Sequence, residues 1–235
     1  MSASNDSLVV GDIRTNCWLY ALDDEPADTE GLHQPRPCVV IDPGDEAMAI
    51  IAKLKKLNWV PRYIFLTHGH IDHLAGLPDL LAAFEKGVFD DCPRPQIGIH
   101  RLDARYLGKG SLALHRESYS AAGGDSAFID AIWKALPDAD LFFEEGDTAG
   151  PFRVLYLPGH SEGSAGFYDE KDGLLFSGDT LFRGTWGRTD LPGGNETQIY
   201  QSLRRLLAMN GGIAVYPGHG PATTIGEETG LLRNL

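Results

Sequence analysis

The stretch YIFLTHGHIDH, residues 63–73, places three histidines and one aspartate directly after an apolar run. Residues 63–66 have the composition of a buried strand. The loop that follows can turn several coordinating groups toward one point, and such a cluster serves no purpose in packing. Any of these groups that were buried without a cation would carry uncompensated desolvation penalties. The stretch therefore predicts a metal site at a strand end, formed by His68, His70, Asp72 and His73.

Three later segments repeat this arrangement, because each places a coordinating residue after an apolar run and beside glycine. They are PGH at His160, SGDT at Asp179 and PGHG at His219. Glycine lets the backbone turn tightly there. Seven ligands exceed what one tetrahedral ion takes, so we expect two divalent metal ions. Imidazole and carboxylate donors favour zinc, iron or manganese over calcium or magnesium but do not separate the first three, and we expect zinc first among them.

Short apolar runs and turns alternate along the rest of the chain. Residues 46–57 place Met48, Ile51 and Leu54, with Leu57 as a further candidate, at helical spacing. They lie between an apolar run ending in DPG and the strand before His68, which predicts a β-α-β unit. A polar loop is expected at 23–37 and a second helix at about 196–209. Residues 101–140 break the rhythm and are predicted to be a helical or loop insertion. Two sheets with helices outside, in one domain over 1–235, is the architecture that this pattern favours.

Composition narrows the class of function. A net charge of −13 and a pI near 4.9 argue against a general grip on nucleic acid, which needs a basic face. The chain shows neither a signal-peptide pattern nor a run of about 20 apolar residues, so no membrane partner is expected. Cys17, Cys38 and Cys92 are odd in number and form no C-x-x-C pair, which favours a reduced cytoplasm and disfavours thiolate ligands.

The order of these motifs resembles that of the metallo-β-lactamase superfamily over nearly the whole chain. The resemblance implies an α+β fold, an αββα four-layer sandwich in which helices flank two mixed sheets and the metals lie at one edge. It assigns three residues to the first metal (His68, His70 and His160), three to the second (Asp72, His73 and His219) and Asp179 to the bridge between them. Asp42, in DPG, would support a metal ligand. A simple turn before Pro43 is the alternative.

Two segments look most like the glyoxalase II group, the hydroxyacylglutathione hydrolases, and especially its compact bacterial members. They are GDTLFRGTWGRTDLPGG, residues 178–194, and VYPGHGPATTIGEE, residues 215–228. Enzymes of that group cleave a glutathione thioester of a hydroxy acid. Larger members hold glutathione with a C-terminal helical domain, whereas fifteen residues follow Gly220 here. The resemblance therefore implies a small thioester substrate and leaves recognition of glutathione open.

The expected reaction is hydrolysis. Two cations about 3.5 to 4 Å apart can hold a metal-bridging hydroxide at neutral pH. Asp72 is expected to orient that water or to accept its proton. Arg183, Trp186 and Arg188 follow Asp179 and are candidates for substrate contact, although Arg188 could instead pair with Asp190.

The roles of the other basic side chains stay open at this stage, as do several other functions. Arg101, Lys109 and Arg116 could meet an anionic substrate or simply be solvated, whereas His33, His100 and His115 are expected to bind no metal. The persulfide dioxygenases resemble glyoxalase II closely and use one iron, held by the equivalents of His68, His160 and Asp179. A phosphodiesterase and a non-catalytic metal-binding module are further alternatives. The sequence does not decide the oligomeric state.

Overall fold

Two six-stranded sheets form the frame of the structure, a computed structural model that describes residues 5–22, 35–90 and 92–234. The first sheet contains, in spatial order, β1 (Asn5–Val10), β2 (Thr15–Ala21), β3 (Arg36–Ile41), β4 (Trp59–Leu66), β5 (Gln96–His100) and β6 (Leu141–Phe143). The second contains β7 (Thr148–Ala149), β8 (Phe152–Tyr156), β9 (Ala165–Asp169), β10 (Leu174–Gly178), β13 (Ala214–Pro217) and β14 (Thr223–Thr224). A separate hairpin pairs β11 (Leu181–Phe182) with β12 (Thr185–Trp186).

Both sheets are mixed. Strands β1 to β3 pair antiparallel, whereas β3 to β6 pair parallel. In the second sheet, whose spatial order is β14-β13-β10-β9-β8-β7, only the β10 and β13 pair is parallel among the described strands. The helices are α1 (Ala47–Leu57), α2 (Leu77–Glu85), α3 (Leu112–Ala121), α4 (Ser126–Ile132), α5 (Glu196–Leu207) and α6 (Ile225–Glu228). Short 3₁₀ helices span Ile71–His73, Arg101–Tyr106 and Thr229–Asn234.

Aromatic side chains fill the space between the sheets. Phe65 of the first sheet stacks on Phe167 of the second, with ring centroids 5.3 Å apart. Helices α1 and α2 cover the outer face of the first sheet, and α5 packs Leu203 and Leu206 on the outer face of the second. These four layers confirm the α+β, αββα sandwich and its two mixed sheets flanked by helices.

Helix α1 confirms the predicted β-α-β unit but corrects one of its residues. It connects the parallel strands β3 and β4, and Ile51 and Leu54 are buried as their spacing predicts. Met48, expected on the same face, is 74% exposed. The helix instead buries Ala47 and Ile50 in its first turn. It ends at Asn58, which adopts a left-handed conformation (φ 55°) and donates its N–H to the last turn.

Residues 101–140 form the 3₁₀ helix Arg101–Tyr106 and helices α3 and α4. An ion pair between Arg116 of α3 and Asp130 of α4 joins the two helices at 2.6 Å. Of the polar loop predicted at 23–37, residues 23–34 lie outside the described residues, as does His33. In the described part of the chain, no helix is both long and apolar enough to cross a membrane.

Candidate metal centre

The seven predicted ligands converge at one edge of the sandwich, because each lies beyond the carboxyl end of a strand. His68, His70, Asp72 and His73 follow β4. The other three come from the second sheet: His160 lies beyond β8, Asp179 beyond β10 and His219 beyond β13. Residues far apart in sequence therefore meet in the seam between the two sheets.

Three buried imidazoles form the first group. Nδ1 of His70 lies 2.8 Å from Nε2 of His160, and this Nε2 lies 3.2 Å from Nε2 of His68. Ligand atoms around a tetrahedral ion with metal–nitrogen bonds of about 2.0 to 2.1 Å are separated by about 3.3 Å. The three nitrogens all lie within 4.8 Å of one another, close enough to bind one cation.

A carboxylate and two further imidazoles form the second group. Oδ2 of Asp72 lies 3.4 Å from Nε2 of His73 and 3.3 Å from Nε2 of His219. The ligand atoms of the three residues all lie within 4.8 Å of one another. This group is less enclosed than the first, because the side chains of Asp72 and His219 are 20% and 23% exposed.

Asp179 lies between the two groups. Its Oδ2 is 3.6 Å from Nε2 of His160 and 3.5 Å from Nε2 of His219, and its Oδ1 is 3.5 Å from Nε2 of His73. Among the described residues, Oδ1 of Asp179 and Nε2 of His73 are buried without a hydrogen-bond partner. Buried polar atoms of this kind require an explanation. A pair of divalent cations would satisfy both, so the donor set fits the metals that the motifs predict.

Burial and charge set the protonation of the imidazoles in different ways. Burial lowers the pKa of His68 well below its usual value and that of His70 to about 3, helped by the neighbouring imidazoles. Burial also acts to lower the pKa of His73, but Asp72 and Asp179 outweigh it and hold that pKa well above its usual value. His68 and His70 are therefore neutral at pH 7, which is the form in which imidazole binds a metal.

Asp42 contacts a predicted ligand directly. Its Oδ2 lies 2.9 Å from Nδ1 of His73 and accepts from Oγ1 of Thr67, while its Oδ1 accepts from the Thr67 backbone N–H. Such a contact fixes the orientation and the tautomer of the imidazole. Oγ1 of Thr67 also lies 3.1 Å from Nδ1 of His68, so one aspartate and one threonine connect a ligand from each group.

Several other contacts that orient the predicted ligands were not predicted from the sequence. Nδ1 of His160 lies 2.8 Å from the carbonyl oxygen of Arg188, and Nδ1 of His219 lies 3.3 Å from that of Arg14. Thr15 donates its hydroxyl to Oδ2 of Asp72 at 3.1 Å. Backbone carbonyls carry no signal in a sequence, because every residue has one.

Asp103 is a further residue that sequence reasoning missed. It is fully buried and accepts hydrogen bonds from Gly69, Ser161 and Gly163, which lie in the loops of three predicted ligands. Burial raises its pKa, and the three hydrogen bonds act against that rise. Its position directly after β5 was the available signal, because the other functional residues also follow strands.

Comparison with known proteins identifies the family. The family model described as "Metallo-beta-lactamase superfamily" matches residues 11–219. The chain belongs to this superfamily. It is 33% identical over 194 residues to the hydroxyacylglutathione hydrolase GloC of Haemophilus influenzae, covering 80% of this chain and 82% of that protein. It is 31% identical over 221 residues to the probable metallo-hydrolase YqgX of Bacillus subtilis, covering 92% of this chain and 90% of that protein.

A solved structure supports the same assignment. The crystal structure of TTHA1623 in a di-iron-bound form superposes with a TM-score of 0.72 at 33% identity, covering 94% of this chain and 96% of that one. The chain therefore has the superfamily's fold along nearly its whole length, with a His and Asp cluster suited to metal.

Unlike the predicted metal ligands, the candidate substrate residues do not converge on one place in this superfamily member. Arg188 pairs with exposed Asp190 through two contacts of 2.6 and 2.8 Å, which was the alternative for this residue. Trp186 packs edge-on against Tyr200 of α5 at 5.8 Å between centroids. Arg183 is exposed in the turn of the β11 and β12 hairpin. Phe182, which was not predicted, lies nearer the ligands, with its ring 6.0 Å from that of His219.

The remaining basic and histidine candidates lie outside the cluster. Arg101 pairs with Glu144 at 2.9 Å, Arg116 pairs with Asp130, and Lys109 is exposed. His100 stacks on Tyr156 with ring centroids 4.5 Å apart, and His115 packs against Trp133. Both also make hydrogen-bonding contacts outside the ligand cluster, because His100 accepts from the Leu102 N–H and Nε2 of His115 lies 2.8 Å from the Tyr106 carbonyl oxygen.

Proposed function

We propose that this protein is a hydrolase that cleaves thioesters of the S-(2-hydroxyacyl)glutathione class at a centre of two divalent metal ions, zinc first among them. The observation that carries the proposal is Asp179, whose carboxylate lies within 3.6 Å of imidazoles from both ligand groups. A shared carboxylate is what a two-metal site needs. The relative from Haemophilus influenzae, which bears the name of this activity, supports the choice of substrate class.

The chain's own residues provide the sites for both ions. His68, His70 and His160 would hold one, Asp72, His73 and His219 the other, and Asp179 would contact both. Two ions bound there supply Lewis acidity and a hydroxide at neutral pH, which removes the need for a serine or cysteine nucleophile.

Asp72 is the residue to which we assign the orientation of the attacking water. Its Oδ2 is surrounded by Nε2 of His73, Nε2 of His219 and the hydroxyl of Thr15. A carboxylate that also binds a cation would stay ionised and be a weak base. Holding water in place by hydrogen bonding suits it better than accepting a proton.

We propose that the protein recognises the thioester group of its substrate and has no dedicated site for the glutathione part. Arg101 and Arg116, two of the three cations considered for an anionic substrate, are already in ion pairs. A glutathione thioester and a simple thioester of the same hydroxy acid should therefore give similar KM values. A KM lower by tenfold or more for the glutathione thioester would show a dedicated glutathione site.

The experiment that tests the proposal measures thiol release from S-D-lactoylglutathione by metal-loaded protein. We expect turnover by the wild-type protein and none by Asp179→Ala, which removes the shared carboxylate. Asp169→Asn is a matched control, because Asp169 is also buried and hydrogen-bonded but lies at the other end of β9 and β10. Loss of activity in Asp179→Ala alone would support the assignment. Absence of thioester turnover from protein with two bound metals would refute it.

The same preparation tests the persulfide dioxygenase alternative. One iron per chain together with oxygen uptake on glutathione persulfide would replace the hydrolase by an oxidoreductase. Two metals per chain without oxygen uptake would support the hydrolase. A panel of phosphodiesters tests the remaining enzymatic alternative in the same way.

The proposal includes a cytoplasmic location. Cys17 and Cys38 are buried thiols, and burial raises the pKa of both well above its usual value. Both are free thiols and not disulfides, which suits a reducing compartment.

A further inference from the structure

Asp103 lies in the part of the chain that the sequence set apart as an insertion. It belongs to the 3₁₀ helix Arg101–Tyr106, which follows β5 directly. Its side chain is fully buried, so its charge needs compensation from the protein. That compensation comes from two loops that are distant in sequence.

The carboxylate accepts three hydrogen bonds. Oδ2 accepts from the Gly69 backbone N–H at 2.9 Å and from the Ser161 hydroxyl at 2.7 Å. Oδ1 accepts from the Gly163 backbone N–H at 2.7 Å. Hydrogen bonds to an ionised acceptor are the strong ones in proteins. The three together join the loop after β4 to the loop after β8.

Each of these donors is next to a metal ligand or close to one. Gly69 lies between His68 and His70, and Ser161 follows His160. These three histidines form the first ligand group, whose nitrogens lie 2.8 and 3.2 Å apart. In the described structure, no residue of the second group donates a hydrogen bond to Asp103. A change at Asp103 should therefore affect the two groups differently.

Glycine packing shows independently how closely the loops fit around this 3₁₀ helix. A Cβ on Gly69 would lie 2.3 Å from the ring of Tyr106, and a Cβ on Gly163 would lie 2.5 Å from the backbone nitrogen of Asp103. Real Cβ atoms do not approach other atoms so closely, so both positions require glycine. The loops are thus held against the helix by packing and by the carboxylate together.

We infer that Asp103 is a positioning residue for the first metal, because it fixes the relative placement of the loops that carry His68, His70 and His160. The inference concerns metal binding and does not depend on which substrate is hydrolysed. Residues that orient metal ligands commonly contribute 10- to 100-fold to metal affinity. We expect an effect of that size on one of the two ions.

Asp103→Asn tests the inference, because it keeps the size of the side chain but turns an N–H donor toward a protein donor. Zinc titration against a chromophoric chelator should show one binding step weakened at least tenfold and the other changed less than threefold. Cobalt substitution gives a second readout, since the visible spectrum of the first ion should change. Both measurements are made on the full chain and need no substrate.

Asp169→Asn is the matched control. Asp169 is buried and accepts from Tyr20 and from the backbone N–H groups of Lys171 and Asp172, away from the ligands. It should destabilise the fold without changing either binding step. If Asp103→Asn does not fold, Ser161→Ala removes one of the three donors and should weaken the same step severalfold. Unchanged zinc binding in folded Asp103→Asn, or equal weakening of both steps, would overturn the inference.

Discussion

Oδ2 of Asp42 lies 2.9 Å from Nδ1 of His73, and both side chains are buried. The carboxylate accepts this hydrogen bond while the other nitrogen of the ring, Nε2, faces Asp72 and Asp179. A ligand of the second group is therefore oriented by a residue from a different strand end. The backbone of Asp42 has a φ of 53°, a conformation that asparagine adopts more readily than most residues.

Asp42→Asn should accordingly weaken metal binding without backbone strain. An amide nitrogen in place of Oδ2 removes the acceptor of both His73 and the Thr67 hydroxyl, and one in place of Oδ1 removes the acceptor of the Thr67 N–H. We expect a 10- to 100-fold loss of affinity for one zinc ion, measured by chelator competition. Unchanged zinc affinity in the folded variant would show that Asp42 acts in the turn alone.

Glu145 and Arg205 should contribute stability that depends on pH. Their side chains make two contacts of 2.6 and 2.8 Å, and the hydrogen bond with Arg205 lowers the pKa of Glu145 below 4.5. The contribution is therefore fully present above pH 4.5 and is lost as the pH falls through the lowered pKa. Because both side chains are partly exposed, we expect about 0.2 to 1 kcal/mol.

Urea unfolding of the wild-type protein and of Glu145→Gln tests this sign. The variant should be less stable at pH 7, and the difference should shrink as the pH is lowered toward 3. A difference that grows in acid would contradict the prediction.

The cluster of predicted ligands could be located from the sequence because its signal is local. Four of them lie within residues 68–73, and the others each follow an apolar run and adjoin glycine. Strand ends of neighbouring strands meet at one edge, so this local signal was enough to place all seven together. The layers of the fold followed from the same alternation of strands and helices.

The surroundings of the ligands could not be predicted in this way. Asp103 contacts Gly69 and Ser161 only because the fold brings three distant segments together. Helical spacing also did not predict that α1 would expose Met48 to solvent. Closeness to Asp179 in sequence also failed to predict where a side chain points. Arg188 and Trp186 follow Asp179 closely, yet one pairs with Asp190 and the other packs on Tyr200.

Removal of metal should lower the thermal stability of the protein. Without cations, the buried Nε2 of His73 and Oδ1 of Asp179 have no hydrogen-bond partner among the described residues. A ligand present at 1,000 times its Kd stabilises the folded state by about 4 kcal/mol. For a chain of this size that corresponds to a decrease in Tm of roughly 8 to 16 °C on chelation.

Thermal unfolding followed with and without a chelator measures this decrease. Re-addition of zinc should restore the original Tm, which distinguishes loss of metal from irreversible damage. The Asp179→Ala variant should show a smaller decrease, since it has lost the shared ligand. Equal Tm values with and without the chelator, in protein shown to have lost its metal, would contradict the prediction.

Gly218 and Gly220 flank His219 and offer a matched pair of substitutions. A Cβ on Gly218 would lie 2.1 Å from Oδ1 of Asp179 and 2.7 Å from Cε1 of His73, whereas a Cβ on Gly220 would meet nothing within 4 Å. Gly218→Ala must therefore displace the shared carboxylate, and we expect the metal content to fall by at least one ion per chain. Gly220→Ala, at a φ of +76°, should cost about 1 to 2 kcal/mol of backbone strain but keep the metal content.

Metal analysis and urea unfolding of both variants separate the two effects. The expected pattern is loss of metal together with loss of stability in Gly218→Ala, and loss of stability with full metal content in Gly220→Ala. This comparison isolates the position of the Asp179 carboxylate, because both substitutions add one methyl group beside the same histidine. Full metal content in Gly218→Ala would mean that the carboxylate can move aside without releasing either ion, and Asp179 would then not be the shared ligand.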